Sequence, residues 1–523
     1  MPPTTLASSS DAGLQSALRR TRRFSRFTLA TRWLRRTTFL VHRWLGIALA
    51  MLMTLWAASG VVMMYVSYPE TSSLERVAGL EPLDLTACCD TAALPAGPIE
   101  SATVEMLAGT PVLRWRGAEG PALVNLVDQR PATLGEAEAG MIASTYMRQA
   151  FGTGRVPRIE PVEVDQWTLQ QRGYAPLYKA TFSDESGTVL YVSGRTGEVV
   201  QDTHRTERFW NWLGAVPHWL YFTALRQDGQ LWSQVVIYAS LLGTFLTMTG
   251  IYVGLRMYGR GKRKSPFRGV ALWHHWTGLI FGLATLTWVF SGLASMQPWG
   301  WLASKGPSEE LAALAGREIE GADVAVLVQA LQASRQPGVV SAELAIQGGE
   351  RYAILVRGDG SRVRTALPDL KAAPPSPVDL SDLARTAKPG VAIATQAAIT
   401  QGDAYHYGHH NTPAILPAWR VIYADAAATR IYFDPRTAEL IGYADPGARQ
   451  FRWWHLALHR LDFGGLNARP LWDFIMVPLI LGISLLCGLG VWMGVRRLSW
   501  RWPINKSSRR LKEQVTPASA WSS

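Results

Sequence analysis

The sequence predicts an α+β integral membrane protein, with four transmembrane helices arranged as a tandem two-span repeat and an α+β domain outside the bilayer in each repeat. Three observations carry this. First, four apolar runs are long enough to cross a bilayer, which takes about 20 residues; they cover roughly residues 39–66, 232–255, 269–296 and 472–495. Second, the first run repeats in the third. Residues 40–65 laid on 272–296 without a gap pair His42 with His274, Trp44 with Trp276, Gly46 with Gly278, and Ser59-Gly60 with Ser291-Gly292. Third, the two long segments between spans carry the same strand and turn pattern. The expected order is a basic arm (1–38), span 1 (39–66), outer domain 1 (67–207), an interfacial aromatic helix (208–231) and span 2 (232–255). A short loop (256–268), span 3 (269–296), outer domain 2 (297–450), a histidine-containing interfacial helix (451–471), span 4 (472–495) and a basic tail (496–523) complete it.

Charge sets the expected orientation. Residues 1–38 hold eight Arg, the loop 256–268 holds six Lys/Arg and the tail 496–523 holds seven, against Asp11 and Glu513 alone, so these segments sum to 21 − 2 = +19. The whole chain is +12, which leaves 12 − 19 = −7 for the remainder. Short basic loops stay on the cytoplasmic side, so both termini and the 256–268 loop are expected there and the two long segments on the other face. The basic balance is therefore a topology signal and gives no support for nucleic-acid binding. The first span is too long for a secretory h-region and lacks an A-x-A site, so it reads as a retained anchor. Residues 1–37 read as an aperiodic, mobile basic arm near anionic lipid headgroups. Of three cysteines, Cys88 and Cys89 are adjacent, and Cys487 in span 4 is expected to be a packed small apolar residue.

In the outer segments, alternation predicts strands at 111–116, 122–127, 178–182, 188–192 and 198–201, the last pair joined by a turn at 193–197. The second segment repeats the plan at 351–357 and 361–365 around Gly358-Asp-Gly360, and at 429–433 and 438–443 around a turn at 434–437. Tyr191 matches Tyr432, Arg195-Thr196 matches Arg436-Thr437, and Glu198 matches Glu439. Aromatic amphipathic stretches at 208–220 and 452–461 are expected at the outer leaflet, where Trp and Tyr concentrate. Each leads into a span opening Leu-Trp, with glycines spaced for close helix contact at Gly250-x-x-x-Gly254 and Gly490-x-x-x-Gly494.

Ten histidines are the residues with chemistry to offer. A neutral imidazole is an axial ligand for haem iron, and two on facing helices make a bis-histidine site with the macrocycle in an apolar slot. Repeat register pairs His42 with His274 on the inner side, and Gly46, Ser59 and Gly60 leave room. On the outer side it pairs His218 with His459, imperfectly, since His218 stands 14 residues before Trp232 and His459 stands 13 before Trp472. His455, one turn earlier on the same face, is the alternative ligand. His275, turned about 100° from His274, is a neighbour or a supporting donor. Hydrogen-bonding packing roles are the bland reading of each histidine, and His455 with His459 could instead hold zinc or copper, though two ligands make a weak case. His406, His409 and His410 are either part of a solvated aromatic loop or a contact for substrate or metal.

These residues resemble the PepSY-associated transmembrane-helix family, bacterial inner-membrane proteins that include iron-regulated members. The resemblance rests on His42-Arg-Trp-Leu-Gly46, Ser59-Gly-Val-Val-Met-Met-Tyr65, Asp434-Pro-Arg-Thr437, Trp453-Trp-His-Leu-Ala-Leu-His-Arg-Leu-Asp-Phe463, Arg469-Pro-Leu-Trp-Asp473 and His406-Tyr-Gly-His-His410. It implies two extracytoplasmic PepSY-like domains and a bacterial inner-membrane location. Some members are haem-containing siderophore reductases, which implies His42, His274, His218 and His455 or His459 as ligands of haem b, two groups in all. The function expected is then electron transfer across the membrane to a periplasmic ferric complex. No G-x-G-x-x-G follows a strand, so the electron donor is expected to be a quinol or another protein. A membrane-anchored PepSY binding or regulatory module without cofactor is the alternative. Metal-ion transport is disfavoured by spans almost free of carboxylates.

Overall fold

The computed structural model describes residues 9–85, 88–89, 97–118, 120–128, 134–260, 264–408 and 413–499. Two compact units divide the chain.

The first unit comprises Met1–Ala58, Ile237–Leu293 and Asp473–Ser523. Its material comes from four helical stretches long and apolar enough to cross a membrane: Arg32–Met63 of the helix Ser9–Met63, Gly229–Met257, Val270–Ser295 and Leu471–Ser499. Each overlaps one of the four apolar runs. The first helix corrects the reading of residues 1–37 as an aperiodic arm, because it begins at Ser9 and runs unbroken into span 1. No Gly or Pro interrupts residues 14–45, and Ala, Leu, Arg and Gln there are strong helix formers. Small residues take large partners in the bundle. A Cβ on Gly482 would sit 2.2 Å from the Phe281 ring, and one on Gly243 3.0 Å from Val289. Met53, Ile483 and Cys487 are buried at its centre with Trp56, Phe281 and Trp288 against them. Cys487 thus has the packing role its context suggests.

The second unit, Ser59–Val236 with Ala294–Trp472, is mixed α and β. Its strands are β1 (Ile99–Leu107), β2 (Thr110–Gly117), β3 (Gly120–Asn125), β4 (Arg158–Val162), β5 (Leu177–Thr181), β6 (Val189–Ser193) and β7 (Val199–Thr203). Then come β8 (Val339–Gln347), β9 (Glu350–Arg357), β10 (Arg362–Ala366), β11 (Lys371–Ala372), β12 (Ile393–Ile399), β13 (Ala418–Tyr423), β14 (Arg430–Phe433) and β15 (Leu440–Ala444). Strands β4–β7 and β12–β15 form two antiparallel four-stranded sheets. They share details: the register slips at Tyr191/Val192 between β6 and β7, and at Tyr432/Phe433 between β14 and β15. Both tyrosines are fully buried, and each hydroxyl donates to a carboxylate, Asp165 for Tyr191 (2.6 Å) and Asp403 for Tyr432 (3.0 Å). A buried phenol needs such an acceptor, and neither aspartate stands out in the sequence.

The remaining strands join differently from the sequence expectation. Residues 67–207 and 297–450 read as separate domains, yet β1–β3 and β8–β11 make one seven-stranded sheet in the order β11-β10-β9-β8-β1-β2-β3. The seam is β1 on β8, with Thr103 opposite Glu343, Val104 opposite Ala342 and Glu105 opposite Ser341. One face of this sheet packs Ala102, Val104, Leu113, Ala342 and Leu355 against the helix Gly321–Ala333. Both seam strands alternate, Ser101-Ala-Thr-Val-Glu-Met106 in β1 and Ser341-Ala-Glu-Leu344 in β8, but alternation marks a strand without saying which strand it pairs with. Cys88 and Cys89 are joined by a disulfide and pack beside this core.

Candidate functional site

In the bundle unit, His42 and His274 meet, with ring centres 6.4 Å apart and planes inclined at 39°. Nδ1 of His42 lies 3.2 Å from the carbonyl oxygen of Leu246, and Nδ1 of His274 lies 3.2 Å from that of Leu486. A carbonyl only accepts, so each Nδ1 carries the proton and each Nε2 keeps its lone pair. Neither Nε2 has a hydrogen-bond partner among the described residues. The glycines explain how a ring reaches a carbonyl inside a helix. Gly250 and Gly490 stand four residues after Leu246 and Leu486, at the place where a side chain would cover that carbonyl. A Cβ on Gly250 would lie 2.7 Å from Cε1 of His42, and one on Gly490 3.7 Å from Cε1 of His274. The first glycine of each G-x-x-x-G pair therefore serves the imidazole. The second glycines meet side chains of other spans, Leu279 for Gly254 and Ile47 for Gly494.

His275 is differently engaged. Its Nε2 donates to Gly254 O and its Nδ1 accepts from Ser265 Oγ, both at 2.9 Å. With both nitrogens used, this buried ring ties the end of one span to the start of the next and has no lone pair to offer.

In the second unit, His218 and His459 meet with ring centres 6.1 Å apart and planes at 71°. His218 lies on the short helix Ala215–Trp219, which follows the helix Arg205–Leu213. Ser59 Oγ is 3.2 Å from its Nδ1, and a Cβ on Gly60 would lie 3.5 Å from its Cε1. His459 lies on Leu458–Arg460, after a wide turn, Arg452–Ala457, of π-helical form. The one-residue mismatch in spacing falls after the histidines. Trp232 Nε1 donates to Trp219 O (2.8 Å), and Trp472 Nε1 donates to Arg460 O (2.6 Å), in each case to the residue following the histidine. The next residues, Leu220 and Leu461, both turn left-handed, with φ of 53° and 49°. Local geometry thus equates His218 with His459 and puts the length difference in the loops that follow. His455 has Phe451 at 5.0 Å and His459 at 5.1 Å, beside the ring that meets His218.

Both pairs can be tested for a shared metal. Two imidazoles holding one metal ion from opposite sides, at about 2.0–2.1 Å each, would set the ring centres about 6.3 Å apart. The observed 6.4 Å and 6.1 Å bracket that value. Among the described residues no group of three or more His, Cys, Asp or Glu could hold a metal ion, so a bare tetrahedral zinc site built from His455 and His459 lacks its further ligands. Two imidazoles would leave the remaining positions of an iron for a porphyrin to fill.

The loop that begins the aromatic and histidine cluster braces this second pair. Asp403 accepts from the backbone N–H groups of Tyr405 (2.9 Å) and His406 (3.0 Å) and pairs with Arg420 (3.1 Å). Burial is the largest influence on its carboxyl and opposes ionisation, but these bonds together hold it below the usual carboxylate range. His406 stacks on Tyr432 at 4.8 Å and donates through Nε2 to Ile415 O (3.0 Å). Tyr405 accepts from Trp453 Nε1 (3.2 Å), and the Arg452 guanidinium lies 4.6 Å from the Tyr407 ring centre while donating to Ala404 O and Asp462 O. Arg452 and Trp453 open the wide turn that delivers His459. His406 is held in this way by Tyr432 and Ile415 O, while His409 and His410 lie outside the described residues.

No family model matches the chain, and no curated protein matches it. The family resemblance rests on the motifs quoted above.

Proposed function

We propose that the chain is a haem-containing inner-membrane redox protein of the PepSY-associated type. In this reading it passes electrons across the bilayer to a ferric complex on the periplasmic face, with a quinol or protein as donor. The observation that carries it is the recurrence of one imidazole–imidazole spacing, 6.4 Å and 6.1 Å, at two sites built by different elements. Haem b, when bound, supplies the one-electron chemistry. His42 and His274 would hold one iron through Nε2, and His218 and His459 the other. The carbonyls of Leu246 and Leu486 fix the tautomer and ring direction and raise ligand basicity, as outer partners of metal-binding histidines do. Gly250, Gly490 and Gly60 leave the rings room. The tandem repeat of span, domain, aromatic helix and span accounts for two such sites in one chain, and the positive segments put both termini in the cytoplasm.

The test is a visible spectrum of detergent-purified protein expressed with haem supply, with haem counted per chain. Two haems per chain, each reducible and reoxidised by a ferric chelate, is the expected result. No Soret band would falsify the redox reading and favour the cofactor-free binding module.

A further inference from the structure

The three sheets of the second unit end in six edge strands: β3 and β11, β4 and β7, β12 and β15. An edge presents unpaired N–H and C=O groups, and proteins blunt it with charge, Pro, shortness or a covering element. Five of the six are blunted in one of these ways. β11 has two residues. No residue of β3, β7 or β15 is exposed. β4 carries Arg158, Glu160 and Pro161, and its Ile159 packs on the helix Glu136–Phe151, where a Cβ on Gly140 would lie 3.3 Å from Cγ1 of that side chain.

β12 holds the place in its four-stranded sheet that β4 holds in the other, and it has none of these devices. Its five central residues, Ala394-Thr-Gln-Ala-Ala398, are all exposed. Successive residues of a strand point to opposite faces, so neither face is covered. The helix Pro377–Ala387 packs on β13 and β14 through Leu380 and Ala384, and Ile393 alone of β12 joins that cluster among the described residues. Residues 391–402 hold neither a charge nor a Pro, and the nearest charged residues are Lys388 and Asp403. β13 pairs with one side of the strand, and among the described residues no strand takes the other.

The strand also reads nearly the same in both directions. Laid antiparallel on itself about Gln396, it sets Ile393 opposite Ile399, Ala394 opposite Ala398, Thr395 opposite Ala397 and Gln396 opposite Gln396. No like charges meet, and isoleucines pair at both ends. A glutamine amide both donates and accepts, so the two central side chains can bond each other. Such a pairing is isologous, the form a two-fold dimer requires.

From this bare, self-complementary edge we infer that β12 is a docking surface for a second copy of the chain. β12 of one copy pairs antiparallel with β12 of the other about Gln396, and two four-stranded sheets become one of eight strands, a usual size. One strand pair is a smaller contact than a freely diffusing dimer needs. Four helices of membrane-crossing length hold both copies in one bilayer, which raises their effective concentration.

The inference does not depend on haem, and neither does its test. Cys88 and Cys89 are already joined and Cys487 is buried, so an introduced thiol is the reactive one. Across the two-fold axis the Cβ atoms of residue 396 would stand about 4.5–5.5 Å apart. Those of residue 393, six residues along the pair, would stand about 20 Å apart. Oxidation of membranes containing the full chain should link Gln396→Cys to itself as a covalent dimer and leave Ile393→Cys monomeric. Ile393→Cys should link to Ile399→Cys when the two are co-expressed. Energy transfer between labelled chains in lipid vesicles gives the dissociation constant of the dimer. Gln396→Lys, at an exposed position, should weaken it at least tenfold by setting like charges opposite each other, and mixing Gln396→Lys with Gln396→Glu should restore it. A Gln396→Cys chain that stays unlinked, Ile393→Cys linking to itself as readily as Gln396→Cys, or a dimer undiminished by Gln396→Lys would each overturn the inference. Gln396→Cys linked to a different protein would also overturn it, and would assign the edge to that protein's strand.

Discussion

The two imidazole pairs reach nearly the same spacing by different means. His42 and His274 are held symmetrically, each Nδ1 on a main-chain carbonyl of a regular helix and each ring over a glycine. His218 is held by a side chain, the Ser59 hydroxyl, while His459 rides on a wide π-form turn braced by Arg452 and stands beside a second histidine. A carbonyl cannot be mutated away and a helix interior barely moves. The first pair is therefore fixed by backbone, and the second by side chains that substitution and pH can reach.

Under the proposed haem reading, the largest effect should come from the four paired histidines. His42→Ala and His274→Ala should each remove the same haem, leaving one per chain, and His218→Ala and His459→Ala should each remove the other. If any single substitution empties both sites, or neither, the pairing is wrong. His455→Ala should keep two haems, because His459 is the ring that meets His218.

A sharper contrast lies within the symmetric pair. Gly250→Ala places a methyl 2.7 Å from the His42 ring, closer than a Cβ can stand, whereas Gly490→Ala places one at an ordinary 3.7 Å from His274. Haem content or the axial-ligand spectrum should change for Gly250→Ala and hold for Gly490→Ala. Equal effects would mean that the glycines serve helix packing and not the rings.

Ser59→Ala should act on the second pair alone. Loss of one hydrogen bond to a ligand is worth about 0.5–1.5 kcal/mol, or roughly 20–60 mV for a one-electron couple. A weaker partner on Nδ1 makes the imidazole less basic, so the midpoint potential should rise. Redox titration that finds the first pair shifted instead would erase the distinction.

The smallest effect is pH dependence. Burial pushes the Glu207 carboxyl up to about 7, from an ordinary value of 4.5, on the helix that leads to His218. An acid whose pKa is higher folded than unfolded stabilises the fold fully below the unfolded value and loses that contribution as pH rises through about 7. Thermal release of the second haem should therefore become easier between pH 5 and pH 8, and Glu207→Gln, which keeps the acceptor for the His204 N–H, should flatten the trend. Release of the first haem should not follow Glu207.

Much of the site was legible because the first and third apolar runs align with their histidines in register, and periodicity fixes which residues share a face. His42 and His274 could be paired on that ground alone. His459 could not be separated from His455, since a helix of ordinary pitch puts both on one side, and only the π-form turn and the indole bond to Arg460 O resolve them. Asp403 and Arg452 carried no pattern. They act through contacts outside their own elements, with Tyr432 in one case and with Asp462 and Tyr407 in the other.

The sequence by itself determined the four spans, the paired turns and the candidate ligands, because hydrophobic length, charge bias and local turn chemistry are properties of neighbouring residues. Tertiary structure alone decided that β1 and β8 join the two long segments into one sheet, and which carbonyls and hydroxyls orient the rings. Those contacts link positions more than 150 residues apart, and nothing in local propensity encodes which distant backbone group a side chain will meet.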